Sequence, residues 1–168
     1  MDWRTEYQDK VISAEAAANL VQSGDRVVFT MGREAHGVGL AQGVLDLAIK
    51  HVKSREQFGQ KIASFQITQF KIAEMATKVE LARTLTHKAC WLLDRGKADT
   101  KTVAMAKWFS ARTAVEVVDE GLQLHGGYGY MNDHNVERFY RAAKVLEIYE
   151  GTKEIEKMII GRRILGRY

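Results

Sequence analysis

Not one residue in this 168-residue chain is proline. At the usual abundance of roughly 5%, a chain of this length would carry about eight. Proline removes a backbone donor and clashes with the preceding helical turn, so without it helices can run for many turns. The apolar pattern uses that freedom. Residues 38–52 carry Leu40, Val44, Leu47 and His51 or Val52 at spacings of three to four, the period of one helix face. A second helical segment opens at Ser64 and runs to Arg95, where Gly96 can stop it. Its apolar positions, among them Ile67, Phe70, Ile72, Val79, Leu85 and Leu92, are too frequent for a helix wet on most of its surface. Asp99 or Thr100 can cap a third helix ending near Leu124, before Gly126-Gly127. Shorter helices are predicted over 136–144 and from Thr152 to the C-terminus. Long helices joined by short links predict an all-α fold, an antiparallel four-helix bundle. Leu45, Phe70, Ala82, Leu92, Val103, Val117 and Leu122 are its expected core.

The first 36 residues differ in pattern and in charge. Ser13 can cap a helix over 14–22, Ser23-Gly24-Asp25 is turn chemistry, and Arg26-Val27-Val28-Phe29-Thr30-Met31 reads as a strand. One strand has no sheet to join within this chain. Residues 1–36 hold four basic and six acidic side chains, a charge of −2, whereas 37–168 hold 21 and 15, a charge of +6. The expected organisation is an N-terminal arm over 1–36 and a helical bundle over 37–168.

Several function classes are set aside by composition. The net charge of +4 is spread over a mixed surface, and no basic run alternates with aromatic residues, so no nucleic-acid partner is expected. Charged residues interrupt every apolar run before the ~18 positions a membrane helix needs. The single cysteine, Cys90, excludes an intrachain disulfide, and no His/Cys pattern has metal-ligand spacing. The charged opening Met1-Asp2-Trp3-Arg4 is unlike a secretory start, so a cytoplasmic location is the expectation.

Three segments carry candidate chemistry. In Ile148-Tyr149-Glu150-Gly151-Thr152 a carboxylate precedes a glycine and a helix-capping threonine. Such a carboxylate in an apolar cleft can act as a general base, or it can be a solvated loop residue beside a helix dipole. Gln123-Leu124-His125-Gly126-Gly127-Tyr128-Gly129-Tyr130 offers backbone free of side chains to a ring or phosphate; it also reads as a helix end and a turn. It follows a helix, not a strand, so it is not a dinucleotide-binding fingerprint. In Ser54-Arg55-Glu56-Gln57-Phe58-Gly59-Gln60-Lys61, Arg55 could pair a phosphate and Phe58 stack a base, or the two could simply close a bundle end.

In their order and spacing, Arg55-x-x-Phe58-Gly59, Gln123-x-x-Gly126-Gly127-x-Gly129-Tyr130 and Ile148-Tyr149-Glu150-Gly151-Thr152 resemble the C-terminal domain of the acyl-CoA dehydrogenases. Ala73-Glu74-Met75 and Val79-Glu80-Leu81-Ala82-Arg83 are similar to that family too, and the resemblance spans about 37–168. It implies a flavoprotein of fatty acid metabolism with FAD as cofactor. A glutamate removes the α-proton of an acyl-CoA thioester, and a hydride passes from the β-carbon to the flavin. Glu150 matches the common position of that base, with Tyr149, Gly151 and Arg162 at the substrate. Arg55, Phe58 and Gln66 match residues on the adenine-diphosphate half of FAD, usually the FAD of a neighbouring subunit. Gln123, Gly126 and Gly127 match the loop against the same cofactor, and Thr152 and Glu154 match its contacts after the base.

The resemblance further implies a homo-oligomer, dimer or tetramer, and electron-transfer flavoprotein as a redox partner. One departure is Arg141-Ala142-Ala143-Lys144, where the family usually has an aspartate second. A larger one is that the family's N-terminal helical domain and middle β-domain have no counterpart in these residues. Residues 1–36 instead resemble the opening of CoA-transferases of the 4-hydroxybutyrate/acetyl-CoA-hydrolase type, through Met1-Asp2-Trp3-Arg4, Ser13-Ala14-Glu15-Ala16 and Ser23-Gly24-Asp25-Arg26-Val27-Val28. The competing expectation is a non-catalytic helical assembly module that keeps the family's residues without a complete flavin site.

Overall fold

A computed structural model describes residues 32–166, with side chains from residue 36 onward. The expected arm helix, the strand at 26–31 and the CoA-transferase-like residues lie outside the described residues. Among the described residues six helices follow one another: α1 (Gly32–Ser54), α2 (Gln66–Asp94), α3 (Thr100–His125), α4 (Gly127–Tyr130), α5 (Val136–Leu146) and α6 (Lys153–Leu165). The fold is all-α, as expected. The α1–α2 link holds a small antiparallel hairpin, β1 (Glu56–Gln57) and β2 (Gln60–Lys61), and a 3₁₀ turn (Ile62–Ser64). Helix α1 starts earlier than its apolar period, and passes residue 36 without a break.

Local chemistry sets the ends of the long helices. The Asp99 carboxylate accepts from the backbone N–H groups of Lys101 and Thr102, both at 3.2 Å, and from the Thr102 hydroxyl at 2.7 Å. That satisfies donors which the first turn of α3 leaves without helical partners. Helix α2 stops at Gly96, whose φ is 65°. The N–H of Gly96 donates to Leu93 O and that of Lys97 to Leu92 O, the paired bonds of a Schellman end. Ser64 does not open α2 as expected. It belongs to the 3₁₀ turn, and α2 begins at Gln66 after an extended Phe65.

Helix α3 is the centre of the molecule, packed by α1, α2, α5 and α6. Lys71 pairs with Glu120 and Lys78 with Glu116 (2.8 Å), so rising numbers on α2 meet falling numbers on α3 and the two are antiparallel. One buried cluster joins Ala41, Leu45 and Ala48 of α1 to Met75, Val79 and Val117. A second joins Val44 to Ala111, Ala114, Val118, Ala143 and Leu146. Small residues bring α1 and α3 close: a Cβ on Gly121 would lie 2.4 Å from Val44 Cγ1.

Of the expected core, Leu45, Ala82 and Val117 are buried, whereas Leu92, Val103 and Leu122 are only half-buried. Phe70 is a correction: it is 54% exposed. Its helical period is right, but it lies on the side of α2 away from α1 and α3. Among the described residues, no helix is long and apolar enough to cross a membrane.

Candidate functional site

The three segments form two clusters at opposite ends of α3. The first is built on the hairpin after α1. Its two-residue loop, Phe58-Gly59, has φ of 54° and 77°. Positive φ at both loop positions is the backbone of a tight hairpin turn whose twist suits antiparallel strands. Asparagine or glycine is the usual occupant, because a Cβ there meets the backbone. Phenylalanine stands there instead, and its ring is 92% exposed. Phe65 meets it edge to face at 6.2 Å.

Arg55, just before the hairpin, lays its guanidinium over the Tyr128 ring at 5.2 Å. This brings the first motif against the glycine-rich one. Gly126 ends α3 with φ 59°, its N–H donating to Gln123 O. A Cβ on Gly126 or Gly127 would meet nothing within 4 Å, so the backbone there is open. Gly129 is different: a Cβ would lie 2.8 Å from both Leu122 O and His125 Cβ, and α4 folds back on α3 only without one. Gln66 and Gln123 are both exposed.

Beneath this surface His51 stacks on His125 at 4.3 Å, and His125 Nδ1 meets Gly121 O at 2.7 Å. Burial, with the charges of His125, Arg55 and His134, holds the His51 imidazole below its ordinary value. Among the described residues no group of three potential ligands could hold a metal ion.

The second cluster is the turn between α5 and α6. Glu150 is exposed and has φ 53°, and Gly151 follows at φ 105°. A non-glycine residue in that region stores about 1–3 kcal/mol of strain, which persists only where surroundings impose it. The surroundings are visible. Lys107 of α3 is 8% exposed, and its Nζ donates to Tyr149 O at 3.0 Å and to Gly151 O. The buried Glu156 carboxylate lies 3.9 Å from the same nitrogen. A Cβ on Gly151 would sit 2.6 Å from Glu156 Oε1.

Glu147 anchors the other side of the turn, with Lys144 Nζ at 2.5 Å, Lys153 Nζ at 3.5 Å, and its own carbonyl accepting from Lys153 N. Burial pushes the Glu147 carboxyl upward, but the Lys144 hydrogen bond and the two lysine charges outweigh it and hold it below the usual range. Tyr149 packs against the buried cluster of Val44, Ala111, Ala114, Val118, Ala143 and Leu146, and Thr152 is the extended N-cap residue of α6. Glu154 stands in the first turn of α6 and Arg162 in its last, both exposed.

Lys107 and Gln123 stand about 24 Å apart along α3, at ~1.5 Å per residue. The structure therefore joins Arg55 to the glycine-rich loop, and keeps both away from Glu150. Sequence reasoning missed Lys107, Glu147, Glu156 and the histidine stack. One signal was present. Positions 104, 107, 111, 114, 118, 121 and 125 of α3 form its buried stripe, and a lysine and a histidine on that stripe need partners.

A family model for the acyl-CoA dehydrogenase C-terminal domain matches residues 26–165. The chain is 44% identical over 135 residues to 3-(aryl)acrylate reductase of Clostridium sporogenes, covering 80% of this chain and 36% of that protein. It is 44% identical over 137 residues to the caffeyl-CoA reductase-Etf complex subunit CarC of Acetobacterium woodii, covering 82% and 36%. Among solved structures, butyryl-CoA dehydrogenase from Megasphaera elsdenii matches with a TM-score of 0.79 and 38% identity, over 80% of this chain and 35% of that one. The chain thus spans about a third of the length of these relatives.

Proposed function

The chain belongs to the acyl-CoA dehydrogenase family through its C-terminal domain, and from that premise we propose that it serves the α,β-dehydrogenation of an acyl-CoA thioester, with Glu150 as the base. The observation that carries this reading is the backbone at Glu150. An exposed carboxylate is displayed on a left-handed residue, and its turn is tied to the core on both sides. Strain maintained by so many contacts points to a functional position.

In this reading Glu150 takes the α-proton, and Tyr149, Gly151 and Arg162 contact the substrate. An acyl chain laid over the carboxylate removes its water and strengthens it as a base. The hairpin end fits the adenine-diphosphate half of FAD: an exposed ring at Phe58, a cation at Arg55, and open backbone at Gly126-Gly127. Gln66 and Gln123 stand beside it, while Thr152 and Glu154 would meet the cofactor at the other end. When bound, FAD supplies the acceptor for the β-hydride.

Because the two clusters lie at opposite ends of α3, we read them as half-sites that further protein surface completes. A second copy of this chain, in a dimer or tetramer, is one source of that surface. Electron-transfer flavoprotein is the proposed redox partner. Two of the relatives are named for reductases, which favours a second reading of direction. In it Glu150 returns a proton to the α-carbon of an unsaturated thioester.

The test is Glu150→Gln in the flavin-loaded protein, assayed with an artificial electron acceptor. The amide keeps the shape but cannot take the proton, so kcat should fall by roughly 10²–10⁴-fold with flavin and acyl-CoA binding retained. Unchanged turnover would move the base elsewhere. A colourless protein that neither binds flavin nor turns over would favour the assembly module.

A further inference from the structure

The most deeply buried cation near the Glu150 turn is not among the residues that the proposed chemistry uses. Lys107 lies on the apolar stripe of α3, 8% exposed. A buried ammonium is costly unless its three donors find partners. Here two of them reach Tyr149 O (3.0 Å) and Gly151 O, the carbonyls on either side of Glu150. The Glu156 carboxylate, 7% exposed and 3.9 Å away, balances the charge from the first turns of α6.

This arrangement has a geometric consequence. The two carbonyls reach a common donor only while the backbone at Glu150 and Gly151 keeps φ near 53° and 105°. A large rotation at either residue would swing one carbonyl off Nζ. The same nitrogen therefore holds the left-handed conformation that presents the Glu150 carboxylate outward.

We propose that Lys107 is the positioning residue of the Glu150 turn, an ammonium that fixes the 149–150 and 151–152 peptides, which bracket Glu150 and Gly151, while touching neither substrate nor cofactor. The proposal rests on Glu150 being the base, but the hold itself can be read without turnover.

The experiment compares the full chain with Lys107→Met, similar in length but uncharged and without donors. Backbone hydrogen exchange of residues 148–153 should speed up about tenfold or more, while α1, α2 and the C-terminal half of α3 keep their protection. Restoring the ammonium should restore protection. For this, Lys107→Cys in a Cys90→Ala background is aminoethylated while unfolded and then refolded. In the flavin-loaded enzyme, kcat should fall by about tenfold or more with KM nearly unchanged, because ground-state contacts survive and alignment does not.

Unaltered exchange at 148–153 would overturn the proposal. So would exchange that rises equally in every helix, since that marks a core lysine of general structural value. If Lys107→Met does not fold, Lys107→Gln, which keeps two shorter-reaching donors, should loosen 148–153 more than any other segment; uniform loosening would again overturn it. The two readings fail separately. Full turnover in Glu150→Gln beside a loosened turn in Lys107→Met would remove Glu150 as base and leave the hold intact. The reverse pair would remove Lys107 alone.

Discussion

His51 shows how one side chain couples the first cluster to pH. Burial and the neighbouring His125, Arg55 and His134 disfavour its protonated form in the folded state. The unfolded chain therefore binds that proton more readily. Its contribution to stability is complete above the ordinary histidine value of 6.5 and is lost as pH falls through that value toward the lower folded one. Thermal midpoints across that window should decline with acidification, and His51→Gln should flatten the decline. An unchanged slope in the variant would assign it to other groups. Glu147 acts in the same direction at lower pH: its folded value is depressed, so its stabilisation is present above the carboxylate range and fades on acidification.

At the scale of elements, capping and turn chemistry place the candidate segments. Asp99 orients α3, and α3 carries both Lys107 and the glycine-rich end. Asp99→Ala should cost about 1 kcal/mol, the usual worth of such a cap, measured by denaturant unfolding. A loss within error of zero would mean that packing alone sets this helix start. The hairpin uses its strained loop differently: Phe58 gives up the easy turn residue to hold an aromatic ring in solvent. Helix α2 has two apolar faces. At about 100° per residue, Thr68, Met75, Val79, Ala82, Thr86 and Ala89 share a buried arc, while Ile67, Phe70, Leu81 and Trp91 gather on the other side.

That second face matters for the whole molecule. Its four large apolar side chains are each at least half exposed. Apolar side chains exposed along one helix face, here with Glu74, Thr77 and Lys88 among them, can serve as an interaction surface. It is the physical basis for expecting self-association, and it agrees with half-sites that need further protein surface. Phe70→Glu should lower the mass seen by light scattering at micromolar concentration while leaving helix content unchanged. A monomer before mutation, or an unaltered oligomer after it, would argue against association through α2.

The all-α class, the Asp99 start and the Gly96 stop of the long helices, and the position of the three candidate segments at helix ends and links were all legible in the chain itself. These features are local: periodicity, caps and left-handed glycines act within a few residues. The placement of Glu150 just before α6 was legible for the same reason. Which face of α2 is covered was not, because Phe70 and Met75 stand on two different apolar faces of the helix and only the position of α1 and α3 decides which face is buried. Nor was the pairing of Arg55 with Tyr128, the stacking of His51 on His125, or the hold of Lys107 on the Glu150 turn. Each of these joins residues more than 40 positions apart. A helix's own sequence tells which residues need burial or a partner, but the partner is supplied by whichever element the tertiary packing brings against it.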